Sequence, residues 1–262
     1  MRPNNRPKLA RPLASGLLAV AVLAGLAIGP AAAEQRVTFD SAASRDGARP
    51  APIQGYLTRP RGQGPFPAVV LLHSCLGLPA DRQSIADLLA GWGYVALFVD
   101  DFTTRGLKET CAVDFSEGAA DAFGALAYLA RVSYVDATRI AAIGYSQGGD
   151  TALQLAASGA GFKAATAFYP PCENQADAKL RLPTLILIGR EDDVTPAADC
   201  ERLARGQGQV KLIVYPGAYH LFDDPAFAAG KRLLGMRLQY DASAAGQSKH
   251  DLHDFLAAKL AR

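Results

Sequence analysis

The sequence is poor in the residues that several functions require. It holds only four histidines in 262 residues, and the two that lie close together, His250 and His253, have no third ligand near them, so no metal site and no cofactor is expected. It has no long basic run and no basic stripe interleaved with aromatics, which removes the electrostatic footprint of a nucleic-acid binder. Internal repeats, heptads and low-complexity segments are absent after the N-terminal stretch, which leaves an ordinary globular chain. Its one long apolar run, residues 13–28, is short for a bilayer span and is broken by Ser15, Gly16 and Gly25.

That run belongs to a segment unlike the rest. Arg2, Arg6, Lys8 and Arg11 precede it, and Ala31, Ala32 and Ala33 follow it before Glu34. A basic start, an apolar middle and a small-residue exit are the marks of a secretory signal peptide, expected over residues 1–33. Loss of its four positive charges turns a formal balance of +2 into −2. The expected mature chain, 34–262, is then an exported, periplasmic or secreted protein with no stable membrane insertion. Half of the chain is hydrophobic, enough for one domain with a sizeable core. All four cysteines, Cys75, Cys111, Cys172 and Cys200, lie in that part, where an oxidising compartment permits disulfides. Spacing alone leaves their three possible pairings open.

The mature chain alternates short apolar runs with helical patterns. Strands are expected at 53–57, 68–73, 95–100, 140–145, 164–169, 184–188 and 210–215, and helices near 80–92, 117–131, 149–157, 197–205 and 248–260. From residue 68 onward the strands are nearly continuous apolar runs, as strands buried on both faces are. This is the pattern of an α/β fold, a mostly parallel sheet with helices on both faces, in which function gathers at the carboxyl ends of the strands. The segment 222–247, with Phe222, Phe227, Leu233, Leu234, Met236 and Tyr240, fits no element clearly. Core packing is the expected role of most of these residues, with pocket lining and dimer contacts as alternatives.

Gly144, Tyr145, Ser146, Gln147 and Gly148 follow one of those strands and open a helix. G-x-S-x-G in that context reads as a nucleophile elbow, in which small residues on either side let the chain turn sharply and expose the serine. A serine hydroxyl needs an imidazole base and a carboxylate that orients it. His220, in a loop just past the last strand, is the expected base. His73 ends an early strand beside Ser74 and is expected to serve the structure or the oxyanion loop. The carboxylate is expected between serine and histidine, at the strand end Gly189, Arg190, Glu191, Asp192, Asp193, Val194, Thr195, Pro196. Asp192 is preferred there, and Asp193 and Glu191 stay open. Acyl transfer also needs N–H donors for an oxyanion, for which the backbones of Gln147 and Cys75 are the candidates.

Four segments in order, HSCLGL from His73, GYSQGG from Gly144, GREDDVTP from Gly189 and YPGAYH from Tyr215, resemble the dienelactone hydrolase family of the α/β-hydrolase fold. The resemblance covers about residues 53–260. It implies Ser146 as nucleophile, Asp192 as orienting acid, His220 as base, and Cys75 and Gln147 as oxyanion-hole donors. It also implies that Arg105 grips a substrate carboxylate, and that strand neighbours bring Cys75 to Cys111 and Cys172 to Cys200. The founding members carry cysteine at the nucleophile position and glutamate in the early loop, where this chain has Ser146 and Ser74. Their second arginine, after the histidine, is replaced by the region of Asp223 and Asp224. The implied activity is hydrolysis of a small carboxylic ester or lactone. A peptidase or acyltransferase using the same residues, or a non-catalytic binding protein on the same fold, are the other readings. The sequence leaves the oligomeric state open.

Overall fold

The computed structural model describes residue 1 and residues 33–43, 49–113 and 115–261. The expected signal peptide therefore lies outside the described residues except at its two ends. The chain builds an eight-stranded sheet from β1 (Gln35–Asp40), β2 (Pro52–Thr58), β3 (Phe66–Leu72), β4 (Val95–Asp100), β5 (Val135–Tyr145), β6 (Ala164–Phe168), β7 (Thr184–Gly189) and β8 (Val210–Tyr215). Their order is β1-β2-β4-β3-β5-β6-β7-β8. β2 runs antiparallel to β1 and β4, and every pairing from β4 through β8 is parallel.

The helices are α1 (Arg82–Gly91), α2 (Gly118–Leu129), α3 (Gln147–Ser158), α4 (Ala197–Ala204) and α5 (Ala242–Lys259). With helices over the sheet, the central strands have no polar face to show. All six residues of β4 and of β7 are buried, which explains their nearly continuous apolar sequence. Small residues carry the closest packing. α3 lays Gly148, Gly149, Ala152 and Ala156 inward around Leu153 and Leu155 and lies against β5 and β6.

Three features depart from the sequence reading. β1 was not expected: its burial alternates, with only Val37 and Phe39 turned in, and two apolar residues make a weak period-two signal. α5 starts at Ala242 rather than at 248, because Asp241 caps it by accepting the Ala244 N–H at 2.8 Å over a stretch too rich in alanine to show a stripe. Within 222–247 the chain forms a hairpin, β9 (Lys231–Leu233) and β10 (Met236–Leu238). Leu234 and Gly235 turn it with positive φ of 51° and 88°, the left-handed geometry of a two-residue hairpin loop.

The register decides where function can sit. Leu72 pairs with Gly144, Tyr145 with Phe168, and Gly189 with Tyr215, so β3, β5, β6, β7 and β8 all end at one edge. Residues that follow those ends meet there.

Core packing sets a direct test. Leu153 is fully buried and Leu234 is 76% exposed. Leu153→Ala is expected to lower stability in urea by about 2–5 kcal/mol, and Leu234→Ala to change it by less than about 0.5 kcal/mol. Equal effects on the two unfolding midpoints would contradict this placement of the core.

Candidate active site

Ser146 follows β5 and precedes α3. Its φ of 53° and ψ of −112° lie outside the regions comfortable for a side-chain-bearing residue, a strain of about 1–3 kcal/mol that surrounding structure must hold. What holds it is close backbone contact. A Cβ on Gly144 would stand 1.8 Å from the Gly148 carbonyl oxygen, and one on Gly148 would stand 2.3 Å from that of Leu72. Neither position admits another residue. The Ser146 N–H donates to the Phe168 carbonyl at 2.9 Å, and the Ser146 carbonyl accepts the Asp150 N–H to begin α3.

His220 arrives from the loop after β8. Its Nε2 lies 3.0 Å from Ser146 Oγ, and its Nδ1 donates to Asp192 Oδ2 at 2.7 Å. Ser146, Asp192 and His220 are all buried, at 9%, 5% and 3% exposure. Of the three acids after β7, only Asp192 points inward. Its Oδ1 accepts the N–H groups of Val194 and Thr195, and its Oδ2 accepts the Thr195 hydroxyl at 3.1 Å. Glu191 is exposed, and Asp193, also exposed, accepts the Arg237 N–H at 2.9 Å. A carboxylate so held keeps the imidazole proton on Nδ1 and leaves Nε2 free to accept one from the serine.

Cys75 and Gln147 border the same place from the loop after β3 and the first position of α3. Among the described residues neither backbone N–H meets a protein acceptor. Cys75 and Ser146 line one cleft, together with Leu76, Val194, Leu233, Met236 and Leu238. The hairpin thus supplies much of the apolar wall. It is tied to the histidine: Gln239 N–H donates to the His220 carbonyl, and Arg237 covers the Tyr219 ring at 4.3 Å.

Both disulfides join the expected partners, Cys75 with Cys111 and Cys172 with Cys200. Arg105 is held by its neighbours. Its guanidinium forms a two-pronged pair with Asp121, at 2.8 and 3.0 Å, and also donates to the Asp101 carbonyl. Arg105 is not among the described residues that line the serine cleft. His73 is likewise occupied, with Nδ1 at 2.8 Å from the Ser74 carbonyl and Nε2 at 2.7 Å from Asp101. Burial opposes its charge, but the hydrogen bond to Asp101 and the charge beside it prevail and raise its pKa above the ordinary histidine value. His250 and His253 lie on the exposed side of α5, and among the described residues no group of three or more His, Cys, Asp or Glu could hold a metal. No described helix is long and apolar enough to cross a membrane.

Sequence reasoning missed two supports. Thr195, within the GREDDVTP segment, has its hydroxyl 3.3 Å from His220 Nδ1 and 3.2 Å from the Tyr169 carbonyl. Tyr169 follows β6 with a φ of 38° and packs its ring 4.7 Å from that of His220. The rule that strand ends carry function reaches both positions. The Tyr169 hydroxyl donates to Asp223 at 2.7 Å, and burial pushes the Asp223 pKa up to about 6, with Asp224 and Asp81 adding to the rise. These three acids line an adjoining pocket with Tyr145, Tyr169 and Ile85, and among the described residues no arginine lines it.

A model of the dienelactone hydrolase family matches residues 53–260. Cutinase 1 of Thermobifida cellulosilytica is 26% identical over 144 residues, 55% of this chain and 55% of that protein; the chain spans about half the length of the cutinases it matches. A putative carboxymethylenebutenolidase of Synechocystis sp. is 26% identical over 240 residues, 79% of this chain and 92% of that protein. Among solved structures, a putative dienelactone hydrolase from Klebsiella pneumoniae superimposes with a TM-score of 0.69 at 22% identity, over 86% of this chain and 99% of that one. Another, m3DLH, gives 0.68 at 26% identity, over 88% of this chain and 100% of that one.

The acid beside Tyr169 gives a pH test. Folding raises the Asp223 pKa from about 3.9 to about 6, so the folded state holds this proton more tightly. Its contribution is complete below about pH 4 and is lost as pH rises through about 6. Between about pH 4 and pH 7, the wild-type protein is therefore expected to lose about 1–3 kcal/mol relative to Asp223→Asn, read by urea unfolding. A pH-independent difference would exclude a raised Asp223 pKa.

Proposed function

The chain belongs to the dienelactone hydrolase family, and from that membership we propose that it is an exported serine hydrolase of small carboxylic esters or lactones, working through an acyl-enzyme. The observation that carries the reading is the chain of contacts from Ser146 Oγ to His220 Nε2, 3.0 Å, and from His220 Nδ1 to Asp192, 2.7 Å. In the proposed cycle His220 takes the proton of Ser146 as the oxygen attacks the carbonyl carbon. The N–H groups of Gln147 and Cys75 receive the developing oxyanion, reinforced by the start of α3. His220 then gives its proton to the leaving alcohol, and water repeats the sequence on the acyl-serine.

The surroundings favour a substrate without a carboxylate. The Arg105 guanidinium is engaged by Asp121, and the adjoining pocket carries Asp81, Asp223 and Asp224, so an anionic group would meet repulsion rather than a partner. The cleft at Ser146 suits a compact apolar acyl or alkyl portion.

Export is supported by two disulfides and by the signal-like residues 1–33, which precede the proposed hydrolase domain, 34–262. Cleavage after Ala33 predicts a mature protein that begins at Glu34, read from its intact mass; a chain recovered at full length would count against it.

Activity is tested on p-nitrophenyl acetate. Ser146→Ala is expected to abolish turnover, and Asp192→Asn to lower kcat by about 10⁴-fold by releasing the wrong imidazole tautomer. A fluorophosphonate probe is expected to add at Ser146 alone. Turnover unchanged in Ser146→Ala would refute the assignment.

A further inference from the structure

Two N–H groups from different parts of the chain can serve one oxyanion only if their separation is fixed. Donors act at about 2.7–3.1 Å from the oxygen, so slack of a few tenths of an ångström already matters. Cys75 lies in the loop after β3 and Gln147 at the start of α3, and a third segment, the connection from β4 to α2, touches both.

Thr110 in that connection is 3% exposed although it is polar. Its N–H donates to the Cys75 carbonyl oxygen at 2.9 Å. Its hydroxyl donates to Gln147 Oε1 at 2.8 Å. The next residue, Cys111, is bonded to Cys75 through the disulfide. The two loops also meet closely at Gly77, where a Cβ would stand 3.1 Å from the Lys108 carbonyl oxygen. One dipeptide thus holds the first donor residue by a hydrogen bond and a covalent bond, and the second by its side chain.

We propose that Thr110 and Cys111 are positioning residues for the oxyanion hole, setting the distance between the Cys75 and Gln147 N–H groups without touching the substrate. This rests on the hydrolase reading and adds a part to it. The sequence alone treats Cys111 only as a disulfide partner and passes over Thr110.

The consequence is specific to the transition state, because the oxyanion exists only there. Removing a whole donor costs about 10²–10³-fold in kcat, so loosening one should cost less. Thr110→Val keeps the shape and deletes the hydroxyl; it is expected to lower kcat for p-nitrophenyl acetate by about tenfold with KM within about twofold. An aryl trifluoromethyl ketone, which forms a tetrahedral oxyanion on the serine, is expected to lose affinity by the same factor. Thr110→Ser is expected to recover most of both. Cys111→Ala, which leaves residue 75 itself in place, is expected to shift kcat and inhibitor affinity together in the same direction. Cys172→Ala/Cys200→Ala, whose bridge touches neither donor, is expected to lower thermal stability while kcat stays within about twofold.

A wild-type kcat in Thr110→Val, failure of Thr110→Ser to recover it, or equal kcat losses in the two cystine variants would overturn the positioning role. Near-ultraviolet circular dichroism of each variant separates these results from misfolding. If the wild-type protein neither labels with fluorophosphonate nor turns over the ester, the hydrolase reading itself fails; a wild-type enzyme that labels and turns over leaves only the positioning role at stake.

Discussion

The parallel register of β3, β5, β6, β7 and β8 is the constraint on which the site depends. Because these strands end at one edge, segments far apart in sequence reach one another within the length of a side chain. Ser146 and His220 are separated by 74 residues and meet at 3.0 Å. No local feature of either segment could arrange this. The sheet in turn holds its register because its central strands are apolar on both faces, so any slip would carry helix contacts with it.

Within that frame the serine is held by exclusion rather than attraction. The elbow works because the backbones around Gly144 and Gly148 come too near for any side chain. Asp192 and His220 are held differently, by hydrogen bonds. Asp192 fills its acceptor sites with Val194, Thr195 and His220. A buried carboxylate with every lone pair engaged has little freedom to rotate, and its orientation passes to the imidazole. The steric lock and the polar lock meet at the 3.0 Å contact.

This division explains how much the sequence disclosed. The elbow is legible because its signature is local: five adjacent residues carry the strained serine and the glycines that the close packing requires. The buried strands are legible because burial on both faces leaves a nearly continuous apolar run. Asp192 was one of three candidates, because what distinguishes it, the turn that offers it two N–H groups, belongs to geometry rather than to composition. Thr110 and Tyr169 were passed over for a related reason. Their decisive contacts span 37 and 54 residues, and a threonine or tyrosine in a loop or at a strand end carries no mark of what it will touch. Arg105 shows the opposite case: its place in the sequence fits a motif, while what the sequence does not disclose is its pairing with Asp121. β1 turns only two apolar residues inward, and the hairpin strands have three residues each, too little to show a period.

The hairpin has a consequence for how such a protein changes over time. Leu233, Met236 and Leu238 wall the cleft, yet β9 and β10 form a two-stranded sheet outside the main one, joined to the loop after β8 by a single bridge between Leu238 and His220. The segment is fastened to the rest near its base, through the His220 carbonyl, Asp193 and Tyr219. Its outer turn can therefore lengthen, shorten or be replaced without disturbing Ser146, Asp192 or the strands behind them. On the proposed hydrolase reading, selectivity and reactivity are then inherited as separate modules. A lineage built on this scaffold can diversify what it recognises by exchanging one ribbon while its reaction centre is passed on intact.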